Sequence, residues 1–498
     1  MAKKSMPVPD HGNDRGSFGS NIGFLLSAIG SAVGLGNIWG FPYKMGKSGG
    51  FSFLLIYLLL AIFVGFVIML GELALGRKTG FGPVNAYAAV SKKFKWAGWL
   101  GVIVPFLVMT FYSVLGGYCI YYIIVNVIGL FSGGAPGNEV FGALLTTPGF
   151  GIGCTLLFML ICYFINRNGV GGGIEKFNEV GMPALFVLLV VVIIRSLTMP
   201  YASVGLKFMF VPGYATKATE FGQFVESTPG ILSILATAGG QMFFSLSLGM
   251  SAMITYGSYL SKKENLPKNS AIIVFADTLI AILAGVAVIP AAVANGIAQG
   301  LSVSEIKLNG PGLLFSTLQD VFHNMGALGG VFGVIFYVLV LIAAISSAIS
   351  VIEGVAVTFI DRASAKGKEP SRTRAITLTC VVLFAFSFLV AVDGLGSNNI
   401  APWQVLKMSE EAIRNWNDCW LDFFDLIAEG ILMPLGAMLM ACMIGWELKP
   451  ASFEDEIKSG SNGGSMGFWS FCIKFICPVV MFFIVLVQVS DFFGLGWF

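Results

Sequence analysis

The chain has 498 residues, 56% hydrophobic and only 11% charged, with a net charge of +2. Ordinary soluble domains carry about 25% charged residues, so a soluble globular fold is excluded, and the balance of charge offers no footprint for nucleic acid. Eight scattered cysteines and two histidines, His11 and His323, argue against a disulfide framework and a histidine-rich metal site.

Apolar runs of about 20 residues can each cross a hydrocarbon core of about 30 Å. They recur at 21–45, 50–76, 97–130, 150–166, 177–200, 229–261, 270–300, 329–362, 374–394, 416–447 and 468–493, giving eleven spans. Residues 1–20 form a polar tail with no cleavable signal, so span one itself directs insertion. With the tail inside, the inner loops collect most of the 29 Lys and Arg, including Lys92, Lys93, Lys95, Lys262, Lys263 and Lys268. That bias predicts a multi-pass protein of the cytoplasmic membrane, N-terminus inside and Phe498 outside.

Span one contains GSAVGLGNIWGFPY, Gly30 to Tyr43. Glycine weakens a helix and proline removes a backbone donor, so Gly34, Gly36, Gly40 and Pro42 predict a break. Freed backbone groups persist at membrane depth only where protein or a polar cavity satisfies them. A sodium ion and an amino acid would satisfy these.

Span two carries Glu72, expected to hydrogen-bond a neighbouring helix. Span three carries Tyr112 at mid-membrane, where its hydroxyl needs a partner. The segment from Thr198 to Pro229 is a long external connection. Span six repeats the interruption of span one, with Gly239, Gly240 and Gly249 around Ser245 and Ser247. Span seven carries Asp277. Residues 301–328 predict an external cap of two short helices meeting at Asn309–Pro311. Span eight holds AAISSAIS, then Glu353 and Asp361, and span ten holds Asp422, Asp425 and Glu429 at its outer end.

Two interrupted spans, five apart, point to an inverted repeat with a midplane site. The expected division is a tail (1–20), a first repeat (21–200), an external loop (201–228), a second repeat (229–447), and an inner loop with the eleventh span (448–498). No catalytic pair, nucleophile arrangement or transition-metal motif supports an enzyme.

GLGNIWGFPY in span one, FFSLSLGM in span six and AISSAIS in span eight resemble the neurotransmitter:sodium symporters, especially their bacterial amino-acid transporters. The resemblance covers about 21–447. It implies an all-α polytopic membrane protein with the LeuT fold: spans one to five and six to ten as inverted repeats, unwound first and sixth helices, and an eleventh span.

The resemblance also implies a site. One sodium would use the Ala32 carbonyl, Asn37, Ser245, Asp277 and the substrate carboxylate. A second would use carbonyls of Gly30, Val33 and Ala343 with the hydroxyls of Ser346 and Ser347. Sodium is a hard cation that favours such oxygen donors. The substrate carboxylate would meet the Leu35 and Gly36 amides and Tyr112, and its ammonium the carbonyls around Phe244 and Ser247. Val108, Tyr112, Phe244, Ser247, Met250, Ser347 and Val351 would enclose its side chain, with Ala32 and Ser245 at the edge.

Amine-selective relatives carry aspartate at Gly34, so an α-amino acid, first of all a hydrophobic one, is expected. Chloride-requiring relatives carry an amide at Asp277 and a serine at Ala281, so chloride-independence is expected. Gly40 stands where the family usually has a gate arginine. Lys44, one turn outward, could reach Asp422 or Asp425; alternatively Asp425 and Glu429 could meet a basic substrate. Arg15 and Asp361, with Tyr259 nearby, match an inner gate. Glu353 and Asp277 leave a proton-coupled variant open.

Overall fold

The computed structural model describes residues 18–308, 310–402, 405, 419–461, 466–493 and 495–497. Nine unbroken helices among them are long and apolar enough to cross a membrane. A tenth span is the pair Asn21–Ala32 and Gly36–Lys47, bent by 46°. Span six is the apolar helix Ile231–Ser245, resumed as Ala252–Gly257. The eleven expected spans are therefore present, two of them broken as their glycines predicted.

The first break falls at Val33, whose backbone is extended (φ −75°, ψ 101°). The second runs from Leu246 to Ser251, where Ser247, Gly249 and Ser251 all take positive φ. Such φ values are uncommon outside glycine and persist when the surroundings hold them. A β-carbon at Gly249 would stand 2.1 Å from the Met433 carbonyl. Glu72 Oε1 accepts the Gly249 amide at 2.8 Å. The expected partner of Glu72 on a neighbouring helix is thus the break in span six.

Of the nine unbroken spans, span eight, Gly329–Ala365, is the most enclosed, with 78% of its apolar window buried, against 28% for span four, Pro148–Arg167. Span eight packs along span three and span five, and the inner half of span one lies on spans five, seven and eight. Ser247 Oγ donates to the Ser31 carbonyl at 2.9 Å, so the two breaks touch.

The external cap differs from expectation. Residues before Asn309 form turns, with Ser302 N and Oγ donating to Glu305. The helical run begins at Gly310 and continues to Leu328. Local capping by Glu305 closes the first piece into a turn, and Pro311 starts the helix where its missing N–H costs nothing. Asn309 lies outside the described residues.

Candidate ion and substrate site

Breaking span one frees carbonyls that a continuous helix would pair internally. Ser346 Oγ lies 3.3 Å from the Val33 carbonyl and 2.9 Å from that of Ala343. Ser347 Oγ lies 3.2 Å from the Gly30 carbonyl and 3.3 Å from that of Val33. The five residues expected for one sodium are brought together as five oxygens, all buried. Adjacent serines on one helix can reach both sides of the break because span eight crosses directly behind it.

Asp277 anchors a second cluster. Asn37 Nδ2 donates to Asp277 Oδ1 at 2.7 Å, and Ser245 Oγ lies 3.1 and 3.0 Å from its two carboxylate oxygens. Asn37 Oδ1 in turn accepts the Gly34 amide at 3.0 Å. Carbonyl, amide, hydroxyl and carboxylate oxygens suit a hard monovalent cation. Ionised, this carboxylate would supply a negative charge inside the apolar bundle.

Between the clusters lies a small cavity. Ala32, Gly34, Gly36, Ser247 and Ser347 form its polar end. Val108, Tyr112, Phe244, Met250 and Val351 close the rest. Gly34 was not singled out as a lining residue. Its spacing between two other glycines was the available signal: a β-carbon there would stand 2.3 Å from Ser347 Oγ and 2.5 Å from the Tyr112 hydroxyl. Leu35 and Ser245 take other places. The Leu35 amide donates to the Tyr112 hydroxyl at 3.1 Å, and Ser245 turns to Asp277.

At the end of the bundle expected to face outward, Lys44 pairs with Glu429, both about nine-tenths buried, and not with Asp422 or Asp425 as the sequence suggested. Asp425 and Glu429, one turn apart, share a face of span ten, and Lys44 lies at the level of Glu429. The Lys44 ammonium lies 5.9 Å from the centre of the Phe244 ring. Gln241 stands over Gly40, where a β-carbon would be 2.7 Å from its Oε1, and its Nε2 donates to the Gly36 carbonyl at 2.7 Å. Trp39 Nε1 donates to the Gly310 carbonyl of the external cap at 3.1 Å.

On the inner side, Arg15 lies outside the described residues. Asp361 accepts the Gly82 amide at 2.8 Å. Tyr259 donates to Glu353 Oε1 at 2.8 Å, and the Arg372 guanidinium grips the same carboxylate at 3.0 and 2.5 Å while bonding the Asn166 carbonyl. Sequence reasoning missed Arg372, because nothing local marks an arginine at the start of span nine as the partner of an acid in span eight. Phe18 stacks edge-on against Tyr256 and Tyr259, closing the chain over this end.

A profile of the sodium:neurotransmitter symporter family matches residues 15–130 and 151–497. The chain is 34% identical to the sodium-dependent transporter YhdH of Bacillus subtilis over 481 residues, 95% of this chain and 98% of the relative. It is 30% identical to a sodium-dependent transporter of Haemophilus influenzae, over 96% and 98% of the two chains. Among solved structures, MhsT in complex with L-phenylalanine superposes with a TM-score of 0.79 at 33% identity, covering 96% of this chain and 100% of that one. The architecture is the LeuT fold that the sequence motifs implied.

Proposed function

We propose a function from one premise: the chain belongs to the sodium:neurotransmitter symporter family. Members are multi-pass, sodium-dependent membrane transporters, not enzymes. Within that family, this chain is a two-sodium importer of a hydrophobic L-amino acid that works by alternating access and does not need chloride. The observation that carries the reading is the meeting of the freed Gly30 and Val33 carbonyls with the Ser346 and Ser347 hydroxyls at 3.2–3.3 Å.

The roles follow from position. Gly30, Val33, Ala343, Ser346 and Ser347 hold one sodium between span eight and the inner half of span one. Ala32, Asn37, Ser245 and Asp277 hold the other, beside the cavity, where the substrate carboxylate completes the shell. The Asp277 charge takes the place that chloride fills in relatives with an amide there. Tyr112, held by the Leu35 amide, and the Gly36 amide orient the carboxylate; the carbonyls exposed at the break in span six receive the ammonium. The apolar wall of Val108, Phe244, Met250 and Val351 takes the side chain, in keeping with the phenylalanine held by the similar MhsT.

Lys44 with Glu429, flanked by Asp425, closes the outer path. Arg15, Asp361 and Tyr259 close the inner one, in a plasma membrane with the N-terminus inside. Sodium favours the outward-facing form and completes the substrate site. Loss of the sodium behind span one then frees its inner half to move. Because Lys44 already neutralises Glu429, a basic substrate has less to bind there. Because Arg372 grips Glu353, that acid is poorly suited to carry a proton. Sodium-gradient-driven uptake of labelled phenylalanine or leucine into proteoliposomes tests the reading. Accumulation under a sodium gradient, in gluconate as in chloride, is expected; lysine uptake, or uptake driven by protons alone, would overturn it.

A further inference from the structure

Ser31 follows Gly30 in the last turn of span one before its break. Its hydroxyl lies 2.7 Å from that of Ser350 in span eight, across 319 residues, and both side chains are fully buried. Ser350 Oγ also lies 2.7 Å from the Ser347 carbonyl, which can only accept. A hydroxyl has one hydrogen to give. Ser350 therefore spends its own on the Ser347 carbonyl, and Ser31 donates to Ser350. Ser347 and Ser350, three residues apart, share a face of span eight. On that face Ser347 Oγ meets the Gly30 carbonyl at 3.2 Å, so the two contacts sit side by side at one junction. The Ser31 carbonyl in turn accepts Ser247 Oγ at 2.9 Å, from the lining of the substrate cavity.

We infer that Ser31 and Ser350 are positioning residues for the ion site: their bond holds the inner half of span one in register with span eight whether or not sodium is bound. Neither hydroxyl belongs to the five oxygens gathered at Ser346 and Ser347, so the pair acts through the Gly30 carbonyl and Ser347. The ion and the hydroxyl pair close the same junction. Breaking the pair shifts the balance toward a form in which the inner half has left span eight, and sodium must make up the difference. A hydrogen bond of ordinary net strength changes such a balance about fivefold. The bonds run on from Ser350 through Ser31 to Ser247, so an amino acid settling against Ser247 bears on the same latch. The inference rests on the ion-site reading proposed above and not on which amino acid is carried.

Ser27 supplies the reporter. It lies one turn before Ser31, is fully buried, and its hydroxyl has no partner among the described residues. Ser27→Cys is therefore a small change that hides a thiol until the inner half moves. Its labelling by a water-soluble maleimide, corrected for the protein without it, is measured on the purified protein in sodium and in potassium. Sodium should slow the labelling. At a sodium concentration that nearly stops it, adding Ser31→Ala or Ser350→Ala should speed labelling about fivefold, and more sodium should restore the slow rate. The double variant should label no faster than Ser350→Ala alone, because both changes remove one bond. Ser387→Ala breaks a matching buried hydroxyl pair, with Ser113 at 2.7 Å between spans three and nine, and should leave the rate unchanged. Unchanged labelling in both single variants, effects that multiply in the double variant, or an equal effect of Ser387→Ala overturns the inference. Labelling of the Ser27→Cys protein that ignores sodium would overturn the ion-site reading itself, and the inference with it.

Discussion

Ser347 Oγ lies 3.2 Å from the carbonyl oxygen of Gly30, across a sequence separation of 317 residues. The contact joins the most enclosed of the unbroken spans to the last turn before the break in span one. An ion held at this junction would tie the half of span one before the break to the scaffold. Removing a hydroxyl that binds a charged partner costs about 1.5–3 kcal/mol. Ser347→Ala should therefore raise the sodium concentration for half-maximal uptake by about tenfold or more, read from a sodium titration at saturating amino acid. An unchanged sodium dependence would remove Ser347 from the ion site.

Gly34 is fixed by space. A β-carbon would press on Ser347 Oγ and the Tyr112 hydroxyl at 2.3 and 2.5 Å, both buried. Gly34→Ala should leave a monodisperse protein that has lost amino-acid-dependent stabilisation, measured by thermal unfolding with and without phenylalanine. Ordinary stabilisation in that variant would show that the cavity is not the substrate site.

Asp277 is bonded to both Asn37 and Ser245, so its charge is fixed where a sodium would sit. Uptake should be equal in chloride and gluconate. Asp277→Asn combined with Ala281→Ser should make uptake depend on chloride, measured by exchanging the anion at constant sodium. A double variant equally active in gluconate would show that Asp277 does not take the place of the anion.

The Lys44–Glu429 pair is buried, so removing either partner leaves an uncompensated charge, at a cost of about 3–5 kcal/mol. Lys44→Met and Glu429→Met should each lower the thermal unfolding midpoint strongly, and the double variant should lower it by much less than the two together. Each single variant should also release bound amino acid faster, since the lid over Phe244 is weakened. Additive losses in the double variant would mean the two residues act independently.

The breaks and the spans were legible in the sequence because each is written locally, whereas the two groups of proposed oxygen ligands came from the family resemblance. Glycines sit at the breaks, and the serines follow one another in a single apolar helix. The charged contacts were less legible. Lys44 could be assigned to the right helix but not to Glu429, since Asp422, Asp425 and Glu429 share one face and the choice depends on the level at which span ten meets span one. Arg372 meets Glu353 from the next helix, 19 residues on, and Glu456 pairs with Arg77 and Lys262, both far from it in the chain, and no spacing announces either. Gln241 over Gly40 was hidden for the same reason: span six must be laid against span one before the missing arginine finds its replacement.

The central claim, that the two breaks jointly bind sodium and an amino acid, is tested most directly by thermal unfolding of the purified protein with a panel of L-amino acids, in sodium and again in potassium. The account predicts that hydrophobic amino acids such as phenylalanine or leucine raise the unfolding midpoint in sodium and have no effect in potassium. Equal stabilisation in both salts, or none in either, would contradict it.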